Sequence, residues 1–154
     1  MRKELFKEKE VYYLHNSSSG NNILFGDEQD FIRFLFLILY FQSPTPIYNS
    51  AWYTQMFEKK GSFVSLQKNL GEILRTRAIE LLCFNLEKDS FHLLVRNLVD
   101  GSASVYMQRV LTAYSKYYNA KYVRRGHVFN GPFIAIKIKN NEALSKASFF
   151  THKR

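Results

Sequence analysis

Residues Ser90–Asn97 read Ser-Phe-His-Leu-Leu-Val-Arg-Asn, a run of strand-forming residues with a histidine near its start. In a β-strand the side chains at i and i+2 lie on the same face, so Ser90 and His92 share a face while Phe91 points to the other side. Histidines at both of the shared positions would form a two-ligand metal site. This chain has only the second histidine.

The sequence next to this strand predicts a hairpin and a long helix. The apolar run Ala78–Leu86 precedes Phe91–Asn97 and is separated from it by charged residues, which is typical of two antiparallel strands. Gly101 and Ser102 then open a helix in which apolar and aromatic residues recur at spacings of three and four. The recurring residues are Tyr106, Val110, Ala113, Tyr114 and Tyr117.

The N-terminal part predicts a strand, a loop and a helix. Val11–His15 is rich in strand formers and runs into the polar turn cluster Asn16–Asn22. Asp27 is a suitable N-cap for a helix that continues through an apolar run to Phe41 and is stopped by Pro44.

The remaining elements complete an α+β pattern. We expect a short helix near Leu66–Leu74, a strand at Phe133–Ile138 and a terminal helix from Asn141. Apart from the short helix, the order is β-α-β-β-α-β-α. This order favours a ferredoxin-like sandwich, an antiparallel sheet with helices packed on one face, and we expect residues 1–154 to form a single domain.

Composition restricts the class of protein. The chain has 154 residues, of which 46% are hydrophobic, and a net charge of +9, which favours a polyanionic partner. Cys83 is the only cysteine, so a disulfide framework within the chain is excluded and a reducing, cytoplasmic setting is expected. The apolar run Phe31–Phe41 is interrupted by Arg33 and is too short to span a bilayer, and the first ten residues carry no export signal.

One segment concentrates the positive charge. No acidic residue lies between Asp100 and Glu142, whereas seven lysines and arginines do, interleaved with aromatic rings. Cations that bind phosphates and rings that stack on bases are what a single-stranded nucleic acid requires. A solvated basic face over buried aromatic residues is the alternative. The candidate nucleic-acid-binding residues are Arg109, Lys116, Tyr117, Tyr118, Lys121, Arg124, Arg125 and His127.

Five segments together resemble one protein family. They are Tyr12–Asn16, Asp27–Leu35, Glu87–Leu94, Gly101–Arg109 and Arg124–Gly131. They are similar, respectively, to the opening strand, first helix, metal strand, central helix and Gly-His-Leu-Phe-Gln-Gly element of the IS200-like and REP-associated tyrosine transposases. These are the single-tyrosine HUH transposases of mobile elements.

The resemblance implies a mechanism and also its loss. In this family two strand histidines and a further polar group hold a divalent metal, magnesium or manganese, and a helix tyrosine attacks a DNA phosphodiester. The metal positions match Ser90, His92 and His152, and the nucleophile position matches Phe150. Phenylalanine has no oxygen with which to attack, and a hydroxyl is a poor substitute for imidazole as a metal ligand. We therefore expect a degenerate, catalytically inactive member that needs no cofactor.

The functional prediction is a protein that binds single-stranded or hairpin DNA. One alternative is an active metal-dependent DNA strand transferase, in which Ser90 is tolerated or a tyrosine such as Tyr114, Tyr117 or Tyr118 supplies the nucleophile. Another is an RNA-binding adaptor, because the predicted sheet and the positive charge would serve RNA equally well. Pairing into a homodimer is implied by the resemblance alone.

Overall fold

A computed structural model describes residues 6–44, 55, 59 and 67–146 of the chain. Within these residues it contains four strands and three longer helices. They are β1 (Val11–Ser17), α1 (Glu28–Tyr40), α2 (Gln67–Thr76), β2 (Ile79–Glu87), β3 (Ser90–Asn97), α3 (Ser102–Lys121) and β4 (Ile134–Ile138). Residues 141–146 are also helical. None of the helices in these ranges is long and apolar enough to cross a bilayer.

The four strands form one antiparallel sheet in the order β2-β3-β1-β4. With α1 between β1 and β2, and α3 between β3 and β4, this is the predicted ferredoxin-like α+β sandwich. The β1–β3 register places His15 opposite His92 and Tyr13 opposite Leu94. A β-bulge between Leu81 and Cys83 interrupts the β2–β3 pairing.

The hydrophobic core lies between one face of this sheet and the two helices α1 and α3. Alternate residues of the two central strands are fully buried on this inner face, as the period of a strand requires. They are Tyr12, Leu14, Phe91, Leu93 and Val95. β3 is also buried on its outer face, where Ser90, His92 and Leu94 are almost inaccessible.

Asp27 begins α1 as the sequence predicts. Its side chain accepts a hydrogen bond from the backbone N–H of Asp30 at 3.0 Å, which satisfies one of the unpaired donors of the first turn. The start of α3 is capped differently: the N–H of Ala103 donates to the side-chain oxygen of Asn97 at 2.8 Å. Asn97 ends β3, so this contact fixes the direction in which the helix leaves the sheet.

The structure corrects one part of the predicted helix pattern. Tyr106, Val110 and Tyr114 of α3 are buried as expected, but the next buried ring is Tyr118 and not Tyr117. Tyr118, four positions after Tyr114, lies on the same inner face of the helix, whereas Tyr117, three positions after it, lies at the border of that face. The short helix predicted near Leu66–Leu74 is α2, Gln67–Thr76.

Candidate nucleic-acid interface

The outer face of the sheet carries the predicted metal strand and a stacked pair of histidines. The imidazoles of His15 and His92 lie with their centroids 4.5 Å apart and their planes 15° apart. Nδ1 of His15 donates to the backbone oxygen of Phe91 at 3.0 Å. The pairing of β1 with β3 therefore holds the two rings face to face.

Neighbouring side chains contact both nitrogens of His92. Nδ1 lies 2.5 Å from the hydroxyl of Tyr13, and Nε2 lies 3.7 Å from a carboxylate oxygen of Glu87. The hydroxyl of Ser90 donates to the same oxygen of Glu87 at 3.0 Å. Ser90, at the first predicted metal position, is therefore hydrogen-bonded to a carboxylate.

The imidazoles of His15 and His92 are not arranged to bind one divalent metal together. An ion bound by imidazole lies in the plane of the ring, about 2.1 Å from nitrogen, so two nearly parallel stacked rings cannot both aim a nitrogen at one ion. In the described ranges no group of three or more histidine, cysteine, aspartate or glutamate side chains could hold a metal. Phe150 and His152, the predicted nucleophile and third metal positions, lie outside the described residues.

A groove of about 790 Å³ lies between α3 and the loop that connects it to β4. Its lining residues from α3 are Leu111, Thr112, Ser115, Lys116 and Asn119. The loop contributes residues 126–132, and the turn after β1 contributes Ser19. No acidic side chain is among these residues. Lys116 and His127 are exposed.

Hydrogen bonds hold the loop on one side of the groove. The side-chain amide of Asn119 donates to the oxygen of Gly126 at 3.1 Å. The guanidinium of Arg124 donates to the oxygen of His127 at 3.2 Å and lies 5.4 Å from the centre of the Tyr118 ring. Arg124 therefore shapes the groove from the side, whereas the neighbouring Arg125 is exposed to solvent.

Asp30 anchors two of the predicted nucleic-acid-binding residues. Its carboxylate is fully buried and accepts hydrogen bonds from the hydroxyls of Tyr117 and Tyr122, from the ammonium of Lys121 and from the N–H of Gly26. Lys121 also pairs with the N-cap of α1, Asp27, at 2.6 Å. Tyr117 and Lys121 thus connect the end of α3 to the start of α1.

The charges of this cluster stabilise one another. Burial alone would raise the pKa of Asp30, but hydrogen bonds from Lys121, Tyr122 and Tyr117 hold that pKa below its usual value. Burial alone would lower the pKa of Lys121, and its bonds to Asp27 and Asp30 raise that pKa instead. Burial, followed by the bond to Asp30, raises the pKa of Tyr122 to about 12. Lys121 is thus charged and paired.

Tyr118 and Arg109 also make contacts inside the protein. The ring of Tyr118 is buried and its hydroxyl donates to the oxygen of Ile23 at 2.6 Å. Arg109 donates to the oxygen of Ser43 at 3.0 Å and stacks on the ring of Phe41. Of the eight candidates, the groove brings together Lys116 and His127, and the turn beside it carries Arg124 and Arg125.

The fold is similar to that of a REP-associated tyrosine transposase. A solved structure of such an enzyme bound to a REP hairpin superimposes with a TM-score of 0.64, covering 99% of this chain and 70% of the other. Only 7% of the aligned residues are identical. The sequence itself matches no family model and no curated protein.

The likeness to the REP-associated tyrosine transposase establishes a common fold and no more, because an identity of 7% carries no information about which site residues the two proteins share. The groove residues Thr112, Ser115, Asn119 and Asn130 were not predicted from the sequence. The sequence carries only a weak indication of this part of the groove, namely the two glycines Gly126 and Gly131 that bracket the loop segment forming its wall. In the structure both glycines have a positive φ, which allows the chain to turn at each end of the segment.

Proposed function

We propose that the protein binds single-stranded or hairpin DNA in the groove between α3 and residues 126–132, and that it does not cut the strand. The observation that carries this proposal is the charge of the groove. Lys116 lies in its lining and Arg125 on the adjoining turn, and no carboxylate lines it. Backbone phosphates are attracted by such a surface, whatever the base sequence.

The other lining residues suit nucleotide bases. Leu111, Val128, Phe129 and Pro132 offer apolar surface, while Thr112, Ser115 and Asn130 offer polar groups. A mostly apolar pocket with a few polar groups is the usual form of a ligand site, and about 790 Å³ is within the range of such sites. Unpaired bases in single strands or hairpin loops expose the flat surfaces that such a pocket can cover.

Hairpin DNA is favoured as the partner by the structural likeness. The superimposable transposase is bound to a REP hairpin, and the superposition includes nearly the whole of this chain. The alternative partner is RNA, and the binding experiment distinguishes it from DNA. The single-domain organisation of residues 1–154, a cytoplasmic location and a homodimer stay predictions.

The absence of strand cleavage rests on three positions. Phe150 cannot attack phosphorus, and Ser90 donates its hydroxyl hydrogen to Glu87. The stacking of His92 on His15 turns the imidazole planes away from a shared ion. A metal-activated attack by tyrosine needs both the metal ligands and the nucleophile, since these act as a unit.

The binding site is tested by titrating a fluorescently labelled hairpin DNA with the double variant Lys116→Ala and Arg125→Ala. We expect an affinity about tenfold lower than wild type, because two phosphate contacts are lost. The control is the double variant Lys7→Ala and Arg75→Ala, which removes the same charge outside residues 101–141 and should bind as wild type does. Equal losses in both double variants would contradict a localised site.

The same titration with an RNA hairpin of identical sequence separates the two nucleic acids. We expect DNA to bind at least as tightly as RNA. A clear preference for RNA would replace the proposed partner by an RNA.

The absence of cleavage is tested on a denaturing gel with labelled hairpin DNA in the presence of manganese. We expect no covalent protein–DNA band from the wild-type protein or from either single reversion, Ser90→His or Phe150→Tyr, and at most weak activity from the double reversion. A slow-migrating covalent band from the wild-type protein would establish the strand transferase instead.

A further inference from the structure

An unusual residue occupies the turn at the end of α3. The N–H of Tyr122 donates to the oxygen of Tyr118, and the N–H of Arg124 donates back to the oxygen of Asn119, both at 3.0 Å. The bond from Arg124 to Asn119 is the longer of the two bonds that define a Schellman motif, in which the residue before the donor, here Val123, takes the left-handed conformation. Its φ is 50°.

Valine is poorly suited to this position. A left-handed conformation brings Cβ close to the following carbonyl oxygen, and a β-branched residue there is a genuine outlier. Glycine is the usual residue, and the chain does use glycine at four other left-handed positions, including Gly101 and Gly126. In the described part of the chain, the other left-handed residue with a side chain is Lys9.

Packing does not offset this strain. The side chain of Val123 is 91% exposed, the largest exposed fraction among the large hydrophobic residues that the structure describes. Tyr122, next to it, exposes 40% of its surface while its hydroxyl is fixed on Asp30. An apolar tip is therefore presented to solvent on a turn that hydrogen bonds hold in place.

The charge around this tip is positive. Arg124 and Arg125 follow Val123 directly, and Gly126 and His127 of the groove come next. Asn119 connects the two features, since its backbone oxygen caps the Val123 turn and its side chain holds the oxygen of Gly126. The turn that carries Val123 is therefore attached to the wall of the groove at Gly126.

We propose that Val123 is an apolar wedge that packs against an unstacked base of the bound hairpin DNA. Apolar side chains flanked by cations act in this way on kinked or frayed nucleic acid, where they cover the base surface that unstacking exposes. This inference rests on the proposed DNA binding. It assigns to Val123 a contact with a base, and to Arg125 a contact with phosphate.

The test compares Val123→Gly and Val123→Ala with wild type in binding a DNA hairpin that carries 2-aminopurine in its loop. Glycine removes both the strain and the wedge, so Val123→Gly should melt at the same temperature as wild type or a higher one. We expect both variants to bind about tenfold more weakly, as follows from losing the burial of a small apolar group. We also expect them to lose most of the rise in 2-aminopurine fluorescence that reports unstacking.

The matched control is Val105→Ala, which truncates another exposed valine on α3, 54% exposed and outside the groove lining. It should leave both affinity and fluorescence unchanged. Wild-type affinity and fluorescence in Val123→Gly, with binding still weakened by Arg125→Ala, would overturn the wedge and leave DNA binding intact. No binding of the hairpin by wild-type protein would overturn the proposed function as well.

Discussion

At the scale of single residues, Asp30 illustrates how a polar group can be both buried and favourable. It is 0% exposed, and four donors surround its carboxylate, one from the loop before α1 and three from the end of α3. Such a charge is tolerated in the interior because each lone pair is satisfied. The candidate DNA-binding residues Tyr117 and Lys121 are thereby assigned a structural role.

Replacing Asp30 by Asn should lower the free energy of unfolding by about 3 kcal/mol, because the ammonium of Lys121 loses a buried partner and the amide cannot accept from every donor. Urea unfolding measures this change. The matched control is Asp27→Asn, which removes an exposed ion pair but keeps an N-cap, and should cost less than about 1 kcal/mol. Similar losses in the two variants would contradict the central role of Asp30.

The stabilisation by Asp30 should also depend on pH. Its pKa is lower in the folded protein than in the unfolded chain, so the unfolded chain takes up the proton first as the pH falls. The stabilisation is complete above the unfolded pKa of about 4 and is lost as the pH falls through the folded value. The difference in unfolding free energy between wild type and Asp30→Asn should therefore shrink below about pH 4.

At the scale of elements, α3 is shared between the core and the groove. On its inner side Tyr106, Tyr114 and Tyr118 donate their hydroxyls to the oxygens of Ile38, Leu24 and Ile23. On its outer side Lys116 and Asn119 line the groove. The tyrosines therefore fix the position of the helix, and with it the position of the cation that faces the groove.

Tyr114→Phe should lower the free energy of unfolding by about 1–2 kcal/mol, since the buried oxygen of Leu24 loses its donor while the ring packing is kept. Tyr118→Phe is the comparison, because its bond to Ile23 is only partly buried and its removal should cost less. Chemical denaturation of both variants measures the two values. A larger loss in Tyr118→Phe would reverse our ranking of these bonds.

At the scale of the whole molecule, local sequence signals predicted the fold well. The N-cap Asp27, the run of strand-forming residues in β3 and the order of the elements were sufficient to predict the sandwich, because each can be recognised from neighbouring residues in the sequence. The predicted site was less complete. Asp30 lies about 90 residues from its partners Tyr117 and Lys121, so no local pattern could indicate that they are paired.

The groove depends on the same kind of long-range information. Its acid-free composition was visible in the sequence, but its walls form only when the loop before β4 is held against α3. Tyr118 is buried because of its position around the helix axis. The residue spacing predicted which side of α3 faces the core only to within one residue. The stacking of His15 on His92 follows from strand register, which the sequence did not specify.

The central claim is that the basic groove binds hairpin DNA through its phosphates. The most direct measurement is the dissociation constant of a labelled DNA hairpin at several salt concentrations between 50 and 200 mM. If about six phosphates are contacted, the affinity should fall by about a thousandfold across this range. An affinity that does not change with salt, or no binding to the hairpin at 50 mM, would contradict the account.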